Sequence, residues 1–155
     1  MTFDKKELKN YLKGLLKDQT GLANFVFEYL SGHTAFHTRL KIMITSERIE
    51  HRRIPRGVEV GSSGEAKATK VNEKAFSLED LATFVEVLLK KKIWDLENCT
   101  ERALPDTAML TFMIRDNDNI VFKQEVWESC RNDDDRTKDL IRAISAIIPQ
   151  HWTPP

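Results

Sequence analysis

Two cysteines, Cys99 and Cys130, are all that this 155-residue sequence holds. They are too few for a disulfide framework and too far from other soft ligands for a zinc site. They read as ordinary thiols of a reducing compartment, which points to the cytoplasm. Neither has an obvious histidine or basic activator near it in sequence, as a nucleophilic cysteine needs. Net charge is lacking as well. Lysine plus arginine and aspartate plus glutamate both number 24, so no overall field draws the chain toward nucleic acid or anionic lipid. Nowhere do about 18 apolar residues run together, so no membrane span is expected. The start MTFDKKELKN mixes acidic with basic residues and has no apolar run behind it, and reads as neither a signal nor a transit peptide. Flexible composition is confined to GVEVGSSGEAKATK, residues 57–70, where a mobile loop is predicted.

What is present is a globular pattern, 41% hydrophobic and 31% charged, in a chain of the usual size for one domain. The whole of 1–155 is read as a single unit. Leu8, Tyr11, Leu12, Leu15 and Leu16 recur at helical spacing, which predicts an amphipathic helix within 1–20, with Lys5, Lys9, Lys13 and Lys17 in one row on its other side. From Phe25 the period becomes two. Phe25, Phe27 and Tyr29, then Leu40, Ile42 and Ile44, alternate with more polar positions around the turn-like SGHT, giving a hairpin. A third strand through Ile49 ends by Pro55, and a short strand follows the mobile loop. Ser77 with Asp80 three residues on marks a helix start. The stripe Leu78, Leu81, Val85, Leu88 and Leu89 carries that helix toward Trp94. Leu110, Phe112 and Ile114, the turn DNDN, and Ile120, Phe122 and Val126 form a second hairpin. Asp133, Asp134 and Asp135 open a last helix striped by Leu140, Ile141, Ile144, Ile147 and Ile148, and the tail 150–155 is expected to fray. The fold class is therefore α+β: an antiparallel sheet of about five to six strands with helices packed on one face.

Motifs with chemical meaning are few. His33 and His37 have the spacing of helical metal ligands, but they fall in a turn entering a strand, and no third ligand is evident. The glycines of GSSGEAK lack the lysine and hydroxyl that complete a phosphate loop, and DNDN lacks the glycine and glutamate of a calcium loop. No metal or cofactor is expected, and no enzyme activity. Basic residues do gather. Arg48, Arg52, Arg53 and Arg56 follow one another, and Arg39 and Lys41 would lie on the neighbouring strand. Such a face could take a polyanion, although base stacking needs aromatic side chains that are missing from it.

Several stretches resemble Mago nashi. FVFEYLSGHTAFHTRLKIMI is similar to that family's opening hairpin, EKAFSLEDLATFVEVLLKKKIW to its middle helix, LPDTAMLTFMIRDNDNIVFKQ to its later hairpin and RTKDLIRAISAII to its closing helix. The resemblance covers about residues 24–149 and rests on element order and apolar pattern. It implies a curved antiparallel sheet with helices on one side, and a non-enzymatic module that holds a partner protein on its helical surface. The Mago protein works with an RNA-recognition partner in an RNA-bound complex. The chain departs from the family in its added first helix and the GSSGEAK loop, so no binding residue is carried over.

Function is read as protein interaction or scaffolding, through a helical face left partly apolar or by self-association. Phe84, Val87, Trp94 and Trp127 are the candidate contacts, because they are large apolar side chains beyond what one stripe needs; packing in the core is the competing account of each. The alternatives are an RNA- or polyanion-binding face built from Arg39, Lys41, Arg48, Arg52, Arg53 and Arg56, and a small-molecule enzyme.

Overall fold

The structure, a computed structural model, describes residues 2–32, 38–55, 58, 70–98 and 108–155. Helix α1, Lys5–Lys17, begins on a reciprocal cap. Asp4 Oδ1 accepts from the Glu7 amide at 2.8 Å, and Glu7 Oε2 accepts from the Asp4 amide at 2.9 Å. Its leucine stripe is buried at Leu8, Leu12 and Leu15, and its lysine row is exposed. Four strands follow, β1 Phe25–Gly32, β2 Arg39–Ile44, β3 Arg48–Ile54 and β4 Lys70–Ala75. The second helix, α2 Leu78–Lys90, starts where the serine and aspartate placed it, with Ser77 Oγ accepting from the Asp80 amide at 3.0 Å. It ends before Trp94 because Lys92 turns left-handed at φ 52°. A second hairpin, β5 Met109–Asp116 and β6 Asn119–Trp127, precedes α3, Asp135–Ile147. In α3 the Asp134 carboxylate accepts from the Arg136 and Thr137 amides.

All six strands form one antiparallel sheet in the order β4-β3-β2-β1-β5-β6. Because side chains alternate, the pairings divide the sheet into two faces. Phe27 opposes Ile44 and Ile114, and Tyr29 opposes Ile42 and Phe112, so these residues share the face under the helices. Phe27 meets the Phe84 ring of α2 edge-on at 5.1 Å between centroids, and Tyr29 meets Phe112 at 5.4 Å. Leu81, Val85 and Leu88 of α2 and Leu140, Ile141 and Ile144 of α3 complete this core. The α+β class, the antiparallel sheet and the three helices are as the periodicity predicts.

Two expectations are corrected. The tail does not fray: Trp152 is 7% exposed, its ring 5.1 Å from that of His51. The His51 ring Nε2 is 2.9 Å from the Thr153 carbonyl, and Arg131 donates to the Pro155 carbonyl at 3.0 Å. A short polar tail reads as frayed, but burying one indole offsets the ordering of a few residues. Cys130 is not an ordinary thiol either: it is wholly buried and disulfide-bonded. Cys99 lies outside the described residues, as do His33, His37, Arg56 and nearly all of the 57–70 loop. Among the described residues no helix is long and apolar enough to cross a membrane.

Candidate docking site

The basic residues of β2 and β3 do not act as one face. Arg39, Lys41, Arg48 and Arg52 lie on the sheet face away from the helices, whereas Arg53, paired with Leu40, lies on the other. Acidic side chains interleave with the four that share a face. Glu73, Glu50 and Glu28 fall in one cross-strand row, with Met43 between the last two. Glu50, 8% exposed, is gripped from both sides: Arg48 Nε reaches Oε1 and Arg52 Nη2 reaches Oε2, each at 3.0 Å. Its hydrogen bond and charge push the Arg48 guanidinium above its ordinary pKa. Arg115 pairs with Glu28 at 3.4 Å. Burial lowers the Arg39 pKa, and the Glu125 carboxylate opposes that shift. The result is a lattice of alternating charge, in which much of the positive potential that phosphates would need is already met by glutamate.

The apolar candidates also divide. Phe84 is 3% exposed with its ring against Phe27, so it is a core side chain rather than a free anchor. Trp94 packs on the core edge beneath Lys9, whose Nζ is 5.9 Å from the ring centroid. Trp127 ends β6, on the face away from the helices, and its amide donates to Asn98 Oδ1 at 2.9 Å. Val87 differs from these, because with the rim of Phe84 it lines a groove between α2 and α3.

This groove, about 230 Å³, is walled by Phe76, Asp80, Thr83, Phe84 and Val87 on one side and Ala143, Ala146 and Ile147 on the other. Its origin is in the helix stripes. Leu81, Val85 and Leu88 turn down to the sheet, as do Leu140 and Ile144, and the facing positions of α3 hold alanines too small to meet α2. Polar contacts close both ends. At one, Lys91 Nζ bridges to Asp139 at 3.1 Å and Arg136 Nε donates to the Lys91 carbonyl at 2.9 Å. At the other, Lys74 Nζ donates to the Ile147 carbonyl at 3.4 Å. The Asp80 carboxylate is engaged in its cap, so the floor between the ends is apolar. Pockets for drug-sized ligands span roughly 300–1,000 Å³, so a groove of this size suits protruding side chains better than a cofactor.

Sequence reasoning missed Thr83, Ala143 and Ala146. The signal was available in the small residues Ala143 and Ala146, three apart on α3, but only the packing of α3 against α2 shows which helix they face. Among the described residues no group of three or more histidine, cysteine, aspartate or glutamate side chains could hold a metal ion. No family model matches the chain, and no curated protein matches it.

Proposed function

We propose that this chain is a protein-interaction module that docks apolar side chains of a partner in the groove between α2 and α3. The observation that carries this reading is an apolar groove whose half-buried walls, Val87 and Ile147, stand over the buried Phe76 and Phe84. The reading agrees with what the resemblance to Mago nashi implies, a partner held on the helical surface. No catalytic role is assigned. A polyanion role is disfavoured by the Glu50 clamp and by the position of Arg53 on the opposite sheet face. A cytoplasmic location loses the support of free thiols, because disulfides persist in oxidising compartments.

Selection of helix-forming peptides on the purified protein tests the reading. Selected peptides should compete with one another, and Ala146→Arg, which fills the groove from an exposed lip, should weaken them about tenfold or more. Peptides that bind the variant as tightly as the parent protein would refute the groove as the docking site.

A further inference from the structure

Glu28 lies on the interior strand β1, on the sheet face away from the helices, with its side chain 7% exposed. Glu50 of β3, in the same cross-strand row, is buried to nearly the same depth, at 8%. The two carboxylates are served differently. Glu50 has a guanidinium on each oxygen, Arg48 Nε on Oε1 and Arg52 Nη2 on Oε2, both at 3.0 Å. Glu28 has Arg115 alone, 3.4 Å from Oε2, and its Oε1 is buried without a hydrogen-bond partner among the described residues. Arg115 Nε is unpaired as well, so the pair is incomplete from both sides. A buried carboxylate oxygen without a donor is costly, and folded proteins keep few such groups.

The close surroundings of Glu28 are apolar. Met43 and Met113 oppose it on the neighbouring strands, and Val26 and Leu30 lie two residues before and after it along β1; all four are half-buried. We infer that Oε1 receives the guanidinium of an arginine from a partner protein, which completes at Glu28 what Arg48 and Arg52 complete at Glu50. Methionine is unbranched and flexible, so Met43 and Met113 swing aside to admit the planar group. Arginine suits the place better than lysine, because its guanidinium is the more weakly hydrated cation and its stem packs along Val26 and Leu30. A carboxylate acceptor repels the phosphates of nucleic acid, so a protein segment with an arginine among apolar residues is the occupant that charge selects. This surface is on the other side of the sheet from the α2–α3 groove, and the inference stands apart from the docking reading of that groove.

Peptide selection on the full chain carrying Ala146→Arg, which keeps ligands out of the groove, tests this. The recovered peptides should share an arginine flanked by apolar residues. Exchanging that arginine for citrulline, which keeps the shape and removes the charge, should weaken binding about tenfold or more. Adding Glu28→Gln to the chain should weaken the arginine peptide by a similar factor. The citrulline peptide should then bind with and without Glu28→Gln alike, because both changes remove one contact. Glu28→Gln keeps the side chain's shape, a cooperative melting curve would show that the variant is folded, and the citrulline exchange leaves the protein untouched. A selection that recovers no peptide, peptides that lack arginine, or an arginine peptide indifferent to both changes would each overturn the proposal and leave Oε1 to water.

Discussion

Arg39 lies against the bare backbone of Gly32. A Cβ on Gly32 would stand 3.3 Å from both the Cα and the Cγ of Arg39, and Gly32 itself has φ +96°. Two demands therefore meet at the end of β1: a backbone conformation that L side chains rarely adopt, and close approach by the neighbouring strand. Gly32→Ala should destabilise the protein by about 1–3 kcal/mol, with strain and crowding both contributing. The urea midpoint should fall with the slope unchanged. An unchanged midpoint would show that the strand end relaxes freely.

Tyr29 gives the core a pH limit. Its side chain is wholly buried between β2 and β5, and burial pushes the phenol up to about 12, with Arg131 opposing and Glu128 adding to the shift. In the unfolded chain the phenol titrates near 10. Below pH 10 both states hold the proton and this group adds no pH dependence. Between 10 and 12 only the unfolded state loses it, so stability falls as pH rises and levels off above 12. The loss is about 3 kcal/mol, because each step of one pH between 10 and 12 costs about 1.4 kcal/mol. Tyr11 is also raised by burial and by Asp116, so the wild type loses stability from both phenols. Urea unfolding across this range should show a shallower decline in Tyr29→Phe than in the parent. Identical declines would mean that Tyr29 ionises in the folded protein without cost.

The backbone plan was legible because period two and period 3.6 are written in local sequence. Phe25, Phe27 and Tyr29 face the core in the strand predicted from their alternation, and Ser77 and Asp80 make the reciprocal cap that their spacing announced. The candidate site was half legible. Val87 was singled out for its size, but Phe84 proved to be core, because a helix stripe alone does not say how deep its flank sits. Arg53 joined the wrong group for a related reason. HRRIP hides the alternation, and only the pairing of Arg53 with Leu40 shows which way it points. Trp152 was misjudged because its partner His51 is a hundred residues away in sequence, and no local rule connects them.

Cys130 bears on both stability and compartment. It follows the Glu128 turn at the end of β6, wholly buried and disulfide-bonded, and Cys99 is the chain's only other cysteine. A bridge of this kind stabilises mainly by limiting the unfolded chain. Cys130→Ser should therefore cost about 2–5 kcal/mol, and a reducing agent should lower the melting temperature of the parent protein but not of the variant. Alkylation in denaturant without reductant should label no cysteine in the parent and two after reduction. Labelling of both before reduction, with a melting temperature indifferent to reductant, would restore the reading of two ordinary thiols. A protected bridge would instead favour an oxidising environment, since reducing compartments keep such thiols open.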